Sequence, residues 1–213
     1  MTTLAMLRER LETTLQDAGH ERWSSDDLDE AIRRALEDYS LVEPHEQVTT
    51  LTLSSAGREI DISSLSDCLQ LSRVWWPYQA SDPEHPPHWR PFEVWGDTLY
   101  LDTDSEPAAG DVVRLWYASQ HTLDGLDGAS STTLPADAET ILLAGAAGFA
   151  AQARAAELSE TLNVDAGVVQ RLSDYAKQQS AAFHILLTVR ARQAAARQSG
   201  VVQTAALDRW EKR

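Results

Sequence analysis

Residues Leu115–Ala156 read LWYASQHTLDGLDGASSTTLPADAETILLAGAAGFAAQARAA, and this stretch decides the kind of fold to expect. It opens on a strand-like run, Leu115-Trp116-Tyr117, and passes into a Gly/Ser/Asp/Thr loop from His121 to Thr133. Leu134-Pro135 then opens a helix crowded with small residues: Ala144, Gly145, Ala146, Ala147, Gly148, Ala150, Ala151 and Ala153. A glycine inside a helix costs about 1 kcal/mol relative to alanine. A helix keeps two of them where close packing offsets that loss, so Gly145 and Gly148 are expected to lie against another helix. Neither the loop nor the helix carries a nucleophile, base or metal cluster in a known arrangement.

Upstream, Leu4, Leu7, Leu11 and Leu15 fall on one helical stripe, with Thr2 or Thr3 placed to cap it and Gly19 to end it. Ser24-Ser25-Asp26-Asp27 reads as a capping box, followed at helical spacing by Leu28, Ile32, Leu36 and Tyr39. The two helices form an antiparallel pair with Trp23 in the connection. The second is too acidic for a DNA-reading helix, since Asp26, Asp27, Asp29, Glu30, Glu37 and Asp38 outnumber Arg33 and Arg34.

After Pro44 the period drops to two. Thr49, Leu51 and Leu53 mark one strand, and after a turn at Ser54–Gly57, Ile60 and Ile62 answer on a second. Leu69, Leu71 and Val74-Trp75-Trp76 mark another, and a proline-broken loop follows. Phe92–Trp95 and Leu99–Leu101 flank Gly96-Asp97, a pair suited to a primed hairpin turn. Val112–Tyr117 is the last strand. From Pro135 the chain is helical again to about Ser159. It breaks near Asn163-Val164-Asp165 and continues in a long helix from Ala166 to Gln198, with Val169, Leu172, Ala176, Phe183 and Leu186 on one face. Ser199-Gly200 is expected to stop it.

The expected class is α+β, mainly α: a helical bundle with a long C-terminal helix and an inserted small antiparallel β lobe. Residues 1–46 are the N-terminal helix pair of the helical body and 47–118 the inserted lobe. Residues 119–198 are the connecting loop and C-terminal helices, and 199–213 a C-terminal docking tail.

Charge and composition narrow the function. The chain has 213 residues and a formal charge of −15. Residues 1–140 hold 27 acids against 9 bases, and residues 141–213 hold 6 acids against 9 bases. The acidic portion repels DNA phosphates; the basic end suits nucleic acid, and an acidic protein surface or another copy of the chain equally well. No apolar run reaches the roughly 20 residues that span a bilayer, and Met1-Thr2-Thr3-Leu4 lacks a secretory pattern. A soluble, cytosol-made protein without membrane contact is expected. The single cysteine, Cys68, leaves no internal disulfide or cysteine-based zinc site. His85 and His88 flank two prolines that prevent a shared metal geometry, and Pro107 stands where a calcium loop at Asp102–Glu106 needs glycine. His121, Thr122 and Asp124 lack a nucleophile placed by motif. No catalytic, metal or cofactor residue is expected, and the chain reads as a non-enzyme. Five of the seven tryptophans lie in the β lobe, where they read as core, with a stacking platform as the alternative.

Several of these segments together resemble a head–tail connector (adaptor) protein of long-tailed bacteriophages. They are Leu11–Tyr39 with Trp23-Ser24-Ser25-Asp26-Asp27-Leu28-Asp29-Glu30-Ala31 and Arg33-Arg34-Ala35-Leu36, then Gly57–Leu65 and Trp95-Gly96-Asp97-Thr98-Leu99. Trp116-Tyr117 through His121-Thr122-Leu123-Asp124, Thr133-Leu134-Pro135 and Gly145-Ala146-Ala147-Gly148 complete them. The resemblance covers most of the chain to about Arg197. It implies a virion structural protein of the neck, made in the host cytoplasm. The protein would form a ring, usually dodecameric, beneath the portal, through which DNA passes without specific binding. Its partners would be other copies, the portal protein and a downstream stopper or tail-completion protein. The C-terminal segment would dock on the portal, Val201, Val202, Leu207 and Trp210 as apolar anchors and Arg209, Lys212 and Arg213 pairing acids. The alternatives are another neck or tail-completion protein, a Trp-rich carbohydrate-binding module and a small-terminase-like packaging protein.

Overall fold

The computed structural model describes residues 2–17, 19, 21–81, 83, 87–160 and 165–207, with side chains as far as 197. The protein is α+β and mainly α, with a long C-terminal helix and two small antiparallel three-stranded sheets among the described residues. It divides into two units: residues 1–43 with 121–213, and residues 44–120.

The first unit is helical. Helix α1 (Leu4–Leu15) is capped by Thr3, whose hydroxyl accepts the Met6 N–H, and buries Leu4, Leu7, Leu11 and Leu15. It ends at Gln16 rather than at Gly19 as expected. Gln16 turns into the left-handed region (φ 55°), and its N–H returns to the Glu12 and Thr13 carbonyls. The short connection that follows is organised by Asp17, a buried carboxylate. Its Oδ1 accepts the N–H groups of Glu21 and Arg22, and its Oδ2 those of Arg22 and Trp23, at 3.0–3.2 Å. Burial opposes that charge, but the three backbone donors prevail and hold the carboxyl below its usual range. Helix α2 (Ser25–Val42) starts on a complete capping box between Ser24 and Asp27, worth about 1 kcal/mol.

After the loop 121–133, a single 3-10 turn (Ala136–Ala138) leads into α3 (Glu139–Ser159), and α4 runs from Ala166 to Leu207. The core of this unit joins the leucines of α1 and Leu28, Ile32 and Tyr39 of α2 to Leu142, Ala146 and Ala150 of α3 and Phe183 and Leu187 of α4. Trp23 is buried in it and donates its indole N–H to the Ala150 carbonyl at 3.1 Å. Although polar in composition, the loop 121–133 contributes buried Leu123 and Leu126.

The second unit is all β. One sheet has the order β1-β6-β3, with β1 (His45–Thr52), β3 (Cys68–Trp75) and β6 (Val112–Ser119). The other has the order β2-β5-β4, with β2 (Glu59–Asp61), β4 (Phe92–Trp95) and β5 (Thr98–Leu101). The β4–β5 hairpin closes on Gly96 at φ 56°, the positive value a primed turn needs. The expected partner of β2 was β1, but β2 pairs with β5 instead. β1 is matched residue for residue along β6, and the linker Leu53–Arg58 is too long for a tight turn, so three-residue β2 closes on the hairpin. Leu53, Ile60, Ile62, Leu71, Val74, Trp76, Leu99, Leu101, Val113 and Leu115 form a separate core.

Candidate assembly site

The helical unit is organised around the seam between α3 and α4. A Cβ on Gly145 would stand 2.9–3.0 Å from three ring carbons of Phe183, and one on Gly148 3.0 Å from Ser180 Oγ and 3.2 Å from its backbone nitrogen. Both glycines therefore mark the closest approach of the two helices. Phe183 is fully buried, its ring edge-on to Phe149, whose own face is covered by the Arg34 guanidinium at 4.3 Å.

A second fixture joins the end of α2 to α4, and no spacing in the sequence announces it. Glu43 Oε2 accepts the Tyr39 hydroxyl at 2.6 Å and the Arg190 Nε–H; Arg190 Nη1 also donates to Asp137 at 2.7 Å. Arg197 approaches the other Glu43 oxygen at 3.4 Å. Burial works against the Glu43 charge, yet the Tyr39 and Arg190 hydrogen bonds outweigh it and hold the carboxyl below its ordinary value. The Arg190 hydrogen bond does the same for Asp137. Beside them the His121 backbone N–H donates to Ser40 Oγ at 3.0 Å. Its ring spans Thr133 Oγ1 (3.1 Å) and the Glu43 carbonyl (3.0 Å). His121, weighed in the sequence for acid–base chemistry, thus serves as a tie. It fixes the points where the chain leaves the helical unit and returns to it.

Only part of α4 is used by its own body. Ala176, Phe183 and Leu187 are buried, and Leu172 and Leu186 pack partly against the core. Ile185 (64% exposed) and Val189 (46%) lie one turn apart on the uncovered side. The expected stop at Ser199-Gly200 is absent: the helix continues through both to Leu207. One internal glycine costs about 1 kcal/mol, which adjoining alanines and glutamines, strong helix formers, offset. Val201, Val202 and Leu207 are therefore helical in backbone, while their side chains lie outside the described residues. Arg209, Trp210, Lys212 and Arg213 lie outside them altogether.

In the β unit the tryptophans divide. Trp75 and Trp76 are buried, the latter donating to Asp111 at 3.1 Å. Trp89 and Trp95 are exposed, which departs from the expectation that these rings fill the core. On β3 and β6, strand alternation turns Arg73, Trp75, Arg114 and Trp116 to the face opposite Leu71, Val74, Val113 and Leu115. There Trp75 stacks on Trp116 (6.4 Å) and Trp89 meets Trp116 edge-on (4.9 Å). Arg73 covers Trp89, and Arg114 covers Trp116 and Tyr78. A guanidinium group thus lies over each of Trp89, Trp116 and Tyr78, while Trp95 stands apart at 74% exposure.

Glu84 and His85 lie outside the described residues, and among the described residues no three His, Cys, Asp or Glu side chains group to hold a metal ion. No helix, among those residues, is long and apolar enough to cross a membrane. A scan against protein-family models finds no match, and a search of curated proteins also returns none.

Proposed function

We propose that this chain is a structural component of a phage virion, a head–tail connector (adaptor). In this reading copies form a ring, usually dodecameric, beneath the portal, and the chain is not an enzyme. The observation that carries the reading is α4. Among the described side chains, which reach Arg197, the last buried one is Leu187, and the helix exposes Ile185 and Val189 and continues in backbone to Leu207. At 1.5 Å per residue its 42 residues span about 63 Å. A helix of that length with an uncovered apolar stripe suits contact with other subunits. The acidic balance of residues 1–140 suits a conduit from which DNA must not be retained. The guanidinium groups over Trp89 and Trp116, with Trp95 a single exposed ring and not a platform, favour this reading over a carbohydrate-binding module.

The C-terminal end of α4 and the residues after it would dock on the portal, and the opposite face of the ring would receive the stopper or tail-completion protein. The test is removal of residues 199–213. The shortened chain should keep the melting temperature of the whole protein and lose only the helical circular dichroism of residues 199–207, but fail to join isolated tailless heads, where the full chain forms a collar by electron microscopy. Heads that acquire the shortened chain normally refute the docking role, and a full chain that never joins heads refutes the connector reading.

A further inference from the structure

The outer side of the sheet β1-β6-β3 carries a group of side chains that the core of the lobe does not use. The register sets two rows across the three strands there: Val48, Trp116 and Arg73 in one, Thr50, Arg114 and Trp75 in the next. The bridge from Trp75 to Trp89 lengthens the second row by one ring. Opposed residues of antiparallel strands stand side by side on one face, so the rows make a continuous patch. The lobe core, with Leu71, Val74, Val113 and Leu115, lies on the other face. Val48 is 48% exposed and Trp89 42%, and Arg73 is exposed as well.

Charge points to what this patch would receive. Residues 44–120 hold 12 acids against 4 bases, all arginine, so carboxylates are plentiful within the lobe. Arg73 and Arg114 nevertheless pair with none of them among the described residues. Arg73 lies over the Trp89 ring at 5.2 Å, and Arg114 lies over Trp116 at 5.0 Å and donates to the Tyr78 hydroxyl at 2.8 Å. Among the described strand residues, Glu46, one row beyond Val48, is the sole carboxylate on this face. Hydrogen bonding points the same way. Trp75 is 5% exposed, and its indole N–H has no acceptor among the described residues. Buried donors in folded chains are nearly always paired. The face is therefore short of acceptors as well as of negative charge.

We infer that this face docks a different protein through an acidic segment, whose carboxylates pair with Arg73 and Arg114 and whose apolar side chains cover Val48, Trp89 and Trp116. Tryptophan, tyrosine and arginine gathered in one patch are the residues that dominate binding at protein interfaces. A guanidinium already held over a ring has less freedom to lose when a carboxylate engages it. A symmetric contact between two copies would set these arginines against their own kind, so the complement is another surface. Nucleic acid would offer phosphates to the same arginines, but its bases need free ring faces. Here guanidinium groups lie over Trp89 and Trp116, in a lobe whose acids outnumber its arginines threefold. Docking at this face does not depend on the connector reading.

The test selects peptides from a random library on the immobilised full-length chain and measures the selected peptides by fluorescence anisotropy. The expected sequences are rich in Asp and Glu with apolar or aromatic residues between them. They should bind the Arg73→Gln and Arg114→Gln chains at least about tenfold more weakly at unchanged circular dichroism. Trp95→Ala, in the other sheet, should leave their affinity unchanged. Arg114→Gln also loses the Tyr78 bond, so Arg73→Gln, at an exposed side chain, decides the outcome if the former chain unfolds. No enrichment, basic or neutral sequences, or equal binding to the Arg73→Gln chain overturns the inference. Labelled oligothymidylate that binds the original chain and not Arg73→Gln assigns the face to nucleic acid. A dimer in sedimentation velocity that Arg73→Gln dissociates assigns it to a second copy. Either result overturns the inference too. A chain that selects acidic peptides but never joins heads refutes the connector reading and leaves the docking face standing.

Discussion

Replacing Gly145 by alanine sets two effects of opposite sign against each other. Helix propensity alone favours the alanine by about 1 kcal/mol. Against it, the new methyl would meet the Cδ2, Cε2 and Cζ carbons of Phe183 at 2.9–3.0 Å. Carbon atoms ordinarily rest about 3.5–4.0 Å apart. The ring must therefore retreat by half an ångström or more, yet it is fully buried and held edge-on by Phe149. Overpacking costs about 1–3 kcal/mol; with three buried ring carbons to displace, the upper part of that range, about 2–3 kcal/mol, applies, and subtracting the propensity gain leaves a net loss of about 1–2 kcal/mol. For a chain of this size that corresponds to a melting temperature roughly 2–8 °C lower. Urea unfolding of the full chain, followed by circular dichroism at 222 nm, measures it. Ala147→Gly, at a fully buried position in the same helix, should also destabilise. Losses in both directions are what a contact account requires and a propensity account forbids. Phe183→Leu should shrink or reverse the cost of Gly145→Ala, since the two effects are coupled through one ring. A Gly145→Ala chain about 1 kcal/mol more stable than the original would refute the close approach of α3 and α4.

Two further outcomes follow from the carboxylates. Asp17→Asn replaces a charged acceptor of backbone N–H groups with a side chain that brings an N–H donor against them, and should cost about 2–3 kcal/mol by chemical denaturation. Because Asp17 titrates below its unfolded value, its contribution is full above about pH 4 and is lost as pH falls through the folded value. The gap between Asp17→Asn and the original chain should therefore close in acid. Glu43→Gln should cost about 1–3 kcal/mol at neutral pH. Its deficit should likewise diminish below about pH 4, because Glu43 too is depressed by its partners. A deficit that grows in acid would contradict the Tyr39–Glu43–Arg190 assignment.

The elements most legible from composition were those whose cause is local. Leu4, Leu7, Leu11 and Leu15 repeat at the helical period and are buried; Ser24 and Asp27 cap α2 as their spacing implies; Gly96 turns the hairpin. Features set by distant partners left no local trace. Arg190 meets Glu43 across 147 positions, and nothing near either residue distinguishes it from a solvated charge. The partner of β2 was misread because a turn and two apolar strands look alike whether they pair with each other or with a third. Gln16 ends α1 in a left-handed conformation usually left to glycine, and α4 passes through Gly200 although glycine commonly ends a helix. In both places tertiary or neighbouring preference overrode the punctuation. Trp95 shows that an aromatic residue in a strand can face outward, since side alternates along the strand while composition does not.

The His121 tie holds together the two points of the helical unit between which residues 44–120 are inserted. Exit and re-entry of the polypeptide stand one hydrogen bond apart, 3.0 Å from ring nitrogen to carbonyl oxygen. An insert that folds with its own ends close together spares the bundle the length-dependent cost of closing that loop. Seen this way the β unit is an exchangeable cassette. It can lengthen, shrink or change its surface while the bundle beneath keeps the same stitches.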